Sequence, residues 1–266
     1  MISRLSSRRG RILAVCAAPV VALLATTVLA PLPYSVAQPG ITVDVLGASD
    51  GEPVITVTEA DGDGRESEGR LLMTTIAATS PDATVRVADV VDGWFETDRA
   101  VMPRDAVYPV GGDVEEIREH NAAQMRKSQN AAVRAALKQL RLTPDDVDVR
   151  LRLADVGGPS AGLLFALGIV DKVAGDGPGG GLTGGRTIAG TGTINADGEV
   201  GAVGGVPLKT QAAKRDGATV FLVPRAECAA ARAELPEGLR LVPVSTLSGA
   251  VEALKSLQNG GRVPTC

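Results

Sequence analysis

The sequence predicts an α/β chain of mixed sheet, preceded by an apolar N-terminal segment. Three observations lead there. From Val147 onward, short β-type runs alternate with helical stretches. Between Asp113 and Leu140 the apolar residues recur at helical spacing. From Ile12 to Gly40 there is no charged residue. At 266 residues and 44% hydrophobic, the chain can bury one good core and hardly two. Aromatic residues make up 2%, so that core is built from Ala, Val, Leu and Ile, and base-stacking platforms for nucleic acid are not expected. The net charge is −4 and no basic patch occurs outside the N-terminus, so neither nucleic acid nor an acidic substrate is indicated as a partner.

The elements follow in order. "MISRLSSRRGR" carries four arginines and no acid, and the apolar run Ile12 to Ala30 is near the length that spans a bilayer, although Pro19 interrupts it. This segment reads as an uncleaved anchor or as a signal removed after "SVA", Ser35 to Ala37; in either case the rest of the chain lies outside the cytoplasm. The chain therefore divides into a basic N-terminus (1–11), an anchor or signal segment (12–34), a β-rich extracytoplasmic part (40–125), an α/β core (126–257) and a tail (258–266). In the β-rich part "ITVDVLG", "PVITVTEA" and "RLLMTTIAA" read as strands, separated by "SDGEP" and "DGDGRESEG". A long amphipathic helix spans Asp113 to Leu140, with Pro144 just beyond it. "DVDVRLRLAD" alternates as a half-buried strand and leads into the turn Gly157-Gly158-Pro159-Ser160, with Pro159 suited to the first position of the next helix. "SAGLLFALGIV" is apolar all round, as a buried helix is. After the glycine-rich "GDGPGGGLTGG", "RTIAGTGTI" reads as a strand and "NADG" as a turn back through "EVGAVGG". A helix opened by Pro207, the strand "ATVFLVP", an Ala-rich helix around Cys228, the strand "RLVPV" and a helix from about Ser245 to Leu257 complete the chain. Cys228 and Cys266 form either a disulfide or two unpaired thiols. Three cysteines and one histidine argue against a structural zinc site, and no cofactor is expected.

Ser160 invites a chemical reading. At a helix N-terminus, unpaired backbone N–H groups and the helix dipole favour an oxyanion. The plainer alternative is a serine that only caps the helix. A nucleophilic serine needs a base. His120, within "REHNAAQ", is the chain's one histidine and lies in a charged part of the long helix, which speaks against a Ser-His-acid triad. No Ser-x-x-Lys occurs. A lysine neutralised by burial is the remaining common base. Lys172 lies three turns from Ser160 on the same helix, and Lys214 sits beside Arg215 at a helix end. Lys209 comes in the first turn of a short helix, after Gly204 and Gly205 and next to Leu208, where burial is plausible; an ordinary surface lysine is the alternative.

"GGPSAGLLFALGIVD" followed by "IAGTGTINADGEVGAVGGVPLKTQAAKRDGATVFLVP" resembles the proteolytic domain of the Lon-type serine peptidases, in particular the membrane-anchored bacterial relatives without the ATPase part. "MRKSQNAAVRAALKQL" is similar to the helix before the serine motif, and "LPYSVAQPGITVDVLG" to the start of the exported part. The resemblance runs from about Leu32 to Leu257 and is strongest from Gly157 to Pro224. It implies the Lon proteolytic fold, Ser160 as nucleophile, Lys209 as general base and Thr191 as a residue that positions the lysine. Backbone N–H groups near Gly158 to Ala161 are then expected to hold the oxyanion. Where many ATP-dependent members have an acid before the serine motif, this chain has Gly157, and no role passes to Asp155. Arg141 to Val156 is too short for the PDZ domain that anchored relatives often carry there. No Gly-x-x-x-x-Gly-Lys-Ser/Thr exists, and "GDGPGGGLTGG" lacks the lysine and the setting of a phosphate loop.

The expectation is an ATP-independent Ser-Lys endopeptidase at the outer side of the cytoplasmic membrane, acting on unfolded or flexible protein segments, with a homo-oligomer implied by the family. A non-catalytic binding module of the same fold, and an amidase or esterase for small substrates, are the alternatives.

Overall fold

The computed structural model describes residues 8–59, 62–63, 69–108, 113–153, 156–174 and 181–266. Asp155, most of the glycine-rich stretch and part of "DGDGRESEG" lie outside the described residues. The chain forms two compact units, Met1–Ala37 with Ala78–Gly112, and Gln38–Ala77 with Asp113–Cys266. The boundary expected between residues 125 and 126 falls instead inside the single helix Val114–Leu140. The reason lies in strand pairing: Arg70–Met73 pairs in parallel with Thr187–Gly190, which places a strand of the expected N-terminal part inside the core sheet.

In the first unit, the helix Arg8–Leu29 contains Pro19, and its Gly10–Leu29 part is long and apolar enough to cross a membrane. A span and a signal sequence share these properties. Tyr34–Ala37 pairs antiparallel with Ala100–Pro103. The "SVA" motif thus opens a strand, Tyr34–Asp44, in which Ser35 and Ala37 are buried. A short helix, Val87–Phe95, unmarked by the sequence patterns above, precedes the strand Ala100–Pro103. Its Asp89 carboxylate accepts the Arg86 N–H at 2.8 Å, which satisfies one orphan donor at the helix start.

In the second unit, the strands Arg240–Val244, Val220–Pro224, Thr187–Gly190 and Arg70–Ala78 lie side by side in that order, the first three registers all parallel. A smaller antiparallel sheet joins Ile55–Glu59 to Val147–Leu151 and to Gly62–Asp63. The long helix opens as expected, because Asp113 caps it by accepting the Glu115 and Glu116 N–H groups, and it ends at Arg141 in the left-handed conformation. Gly162–Ala174 is buried from Gly162 through Asp171, as its all-apolar sequence requires, and packs against both the long helix and the last helix, Leu247–Gln258. Asp171 at its far end is no stray charge, since its carboxylate accepts the Leu182 N–H.

Cys228 and Cys266 are joined as a disulfide, 38 residues apart, which ties the tail after the last helix back to the helix Cys228–Ala233. Closing a loop of that length removes entropy from the unfolded chain, so reduction or Cys228→Ser is expected to destabilise the protein by about 3–4 kcal/mol. Chemical denaturation with and without reductant measures this; an unchanged midpoint would contradict it.

Candidate active site

The serine turn is built before the helix, not on it. The helix begins at Gly162, so Pro159 is not its first residue and Ser160 lies in the preceding turn, where the Gly162 N–H donates to Pro159 O at 3.4 Å. The strand expected over "RTIAGTGTI" explains the turn's position by breaking. It stops at Gly190 and resumes at Thr193–Ile194 in a hairpin with Val200–Gly201. The Thr191 N–H still donates to Leu222 O of the neighbouring strand at 3.1 Å, but the Gly192 N–H donates to Ser160 O at 2.9 Å, and the Leu163 N–H donates to Gly192 O at 3.1 Å. The Thr191 hydroxyl adds a donation to Ser160 O at 3.3 Å. Sheet and helix are thereby fastened together at the candidate nucleophile's own carbonyl.

Two residues of the long helix hold the other side, and sequence reasoning missed both. The Ser128 hydroxyl donates to Pro159 O at 3.0 Å, and Asn121 O accepts the Gly158 N–H at 3.3 Å. Ser128 is 4% exposed on a face otherwise made of Met125, Ala132 and Ala136, and a hydroxyl at such a core position was the readable signal. Close packing accounts for the glycines as well. A Cβ at Gly157 would come within 2.7 Å of Asn121 Cβ, and one at Gly162 within 2.8 Å of Ser128 Oγ. Gly157 therefore stands at a place with no room for a side chain.

Lys209 sits on the helix Val206–Arg215, four residues past Gly205, which takes φ 68° and approaches Ile76 so closely that a Cβ would lie 2.9 Å from it. The expected burial is found: Lys209 is 3% exposed. Removal from water disfavours the ammonium and lowers its pKa from 10.5 to about 8, while the charge of Glu227 acts in the opposite direction. Lys209 Nζ donates to Thr191 Oγ1 at 3.0 Å. Thr191, fully buried, is thus the bridge from the lysine to the serine turn.

Ser160, Ala161, Gly158 and Lys209 line one cavity of about 90 Å³ together with Met73, Thr75, Ile76, Met125, Val156 and Gly157. A larger groove of about 440 Å³, lined by the long helix and by Leu153, shares Met125, Val156 and Gly157 with it. Among the described residues, Ser160 Oγ and the N–H groups of Ser160 and Ala161 have no hydrogen-bond partner, whereas the Gly158 N–H is held by Asn121. His120 does not line the cavity and meets Gln124 of its own helix at 3.4 Å. Lys214 is exposed, and Lys172 lies in the last turn of the helix whose first turn follows Ser160.

The family model described as the Lon protease (S16) C-terminal proteolytic domain matches residues 102–255. The chain belongs to this family. Ser160, Thr191 and Lys209 all fall within the matched range of the Lon proteolytic domain. The chain is also similar to Lon protease 2 of Bacillus subtilis (strain 168), with 28% identity over 136 residues. That alignment covers 49% of this chain and 23% of the relative. Membership of the Lon family supports a serine peptidase in general terms.

Proposed function

We propose that the chain is an ATP-independent serine endopeptidase in which Ser160 is the nucleophile and neutral Lys209 the general base. The observation that carries this reading is the buried Lys209, with its pKa lowered to about 8, on the wall of the cavity that Ser160 also lines. A lysine whose pKa is lowered this far is partly neutral near physiological pH, and that neutral form accepts the serine proton as the hydroxyl attacks the peptide carbonyl, and returns it to the leaving amine. The Ala161 N–H, beside the nucleophile and without a partner among the described residues, is the proposed oxyanion donor, with the helix dipole behind it. Hydrolysis of the acyl-enzyme completes the cycle. In the arrangement described, Lys209 hydrogen-bonds Thr191, so the proton transfer takes a shift of Nζ from Thr191 Oγ1 toward Ser160 Oγ.

The 266 residues carry no P-loop motif of their own, and the proposed chemistry uses no nucleotide. Retention of the N-terminal helix as an anchor is supported by the strand Tyr34–Asp44, and the outer side for the catalytic unit by the arginines that precede the apolar segment. Cleavage after Ala37 would remove the residues that pair with Ala100–Pro103. Unfolded or flexible segments of exported proteins are the proposed substrates, because the site must take in extended backbone.

The test is release of new amino termini from an unfolded protein by the full chain in detergent, with ATP omitted. Release without ATP is the expected result; release that requires ATP would overturn ATP independence, and none in either condition would overturn the endopeptidase reading. Thr191→Val keeps the shape and removes the bridge, and is expected to lower turnover by about 10- to 100-fold. Losing the acceptor of the ammonium proton also moves the pH midpoint of activity downward, whereas a purely structural defect would leave that midpoint in place.

A further inference from the structure

The helix Val87–Phe95 turns an apolar stripe to the outside. Val91, Trp94 and Phe95 are 40%, 74% and 85% exposed, at the spacing i, i+3, i+4, and Ala88 lies exposed on the same side. Val90 and Gly93 supply the buried side, Asp92 borders the stripe, and Asp89 lies on the opposite side of the helix. Aromatic side chains of that size are seldom left against water without a partner surface.

The same compact unit contains the apolar helix Arg8–Leu29, and the two helices come near each other. The chain is also tied at that point: the Leu32 N–H donates to Val85 O at 2.8 Å, three residues after the apolar helix ends and two before Val87. Three residues of extended chain reach about 10 Å at most, which is comparable to the depth of the headgroup layer on one side of a bilayer. A span over Gly10–Leu29 therefore leaves Val87–Phe95 at the membrane surface.

We propose that the stripe Val91, Trp94 and Phe95 lies in the interfacial layer of the same bilayer, with Trp94 at headgroup level and Asp89 and Asp92 toward water. Tryptophan favours this layer because its ring is apolar and its N–H seeks a polar partner. With acids and no lysine on the helix, the contact is made by apolar burial rather than by attraction to anionic lipid, so it persists at high salt and in zwitterionic membranes. The proposal rests on reading Gly10–Leu29 as a retained span.

The chain provides two separate reporters, since Trp94 is its one tryptophan and Cys16, in the apolar helix, its free cysteine. The full chain is reconstituted in phosphatidylcholine vesicles at low and high salt. Trp94 emission is read with lipids brominated high in the acyl chain and with aqueous iodide, and Cys16 is challenged with a membrane-impermeant maleimide. The expected result is loss of Trp94 emission in brominated lipid, little quenching by iodide, no salt effect, and a protected Cys16. Protected Cys16 with Trp94 quenched by iodide would overturn the interfacial stripe and leave the span. Trp94 shielded from iodide yet untouched by brominated lipid would overturn it in favour of a protein partner such as a second copy. A Cys16 that reacts in vesicles as in detergent would remove the span and the proposal with it.

Discussion

Lys209→Met is expected to abolish peptide hydrolysis and yet make the folded protein more stable at neutral pH. The two effects have one cause. The folded pKa of Lys209 is about 8 against an ordinary 10.5, so the folded state resists a proton that the unfolded chain holds readily. Above pH 10.5 the side chain is neutral in both states and the burden vanishes; it grows as pH falls toward 8 and is complete below that. Methionine fills a similar volume without the charge, and its gain is offset in part by the lost donation to Thr191. The expected difference is about 2–3 kcal/mol at pH 7, shrinking toward zero near pH 10.5. Denaturant titrations at both pH values measure it. A variant less stable than the wild type at pH 7 would show that Lys209 is held by interactions that outweigh its desolvation.

Ser160→Ala is expected to lower peptidase activity by at least about a thousandfold with little change in stability. The hydroxyl has no hydrogen-bond partner among the described residues, and the turn is held through backbone groups that alanine retains. The wild-type rate is expected to rise with pH through a midpoint near 8, where Lys209 loses its proton, and to level off above it. At pH 6 it is then about a hundredfold below the plateau, the fraction of neutral lysine two units under its pKa. Activity that survives in Ser160→Ala, or a rate flat across this range, would remove the dyad from the mechanism.

Where each residue's local pattern agreed with its final surroundings, the sequence was readable. The long helix shows its apolar period between Asp113 and Leu140 with Pro144 just beyond, and the serine helix declares its burial by lacking a polar face. Lys209 was legible only as a candidate, because a lysine's burial depends on what arrives from elsewhere, here the long helix and the strand that carries Met73. The break at Thr191-Gly192 was hidden for a related reason. "RTIAGTGTI" has strand propensity throughout, and only the carbonyl of Ser160, 31 residues away, draws the backbone out of the sheet. Val87–Phe95 escaped notice because it is nine residues long and turns large apolar side chains outward.

The break at Thr191-Gly192 also bears on when the proposed enzyme comes into being. The serine turn takes its shape from a strand end that exists only once the parallel sheet has formed, and Lys209 approaches neutrality only once the core has closed around it. In an unfolded chain a lysine titrates near 10.4 and a serine is one hydroxyl among many. With the proposed dyad, an unfolded copy of the chain is thus inactive toward its neighbours and itself. Assembly of the core is then the activation step of the proposed enzyme.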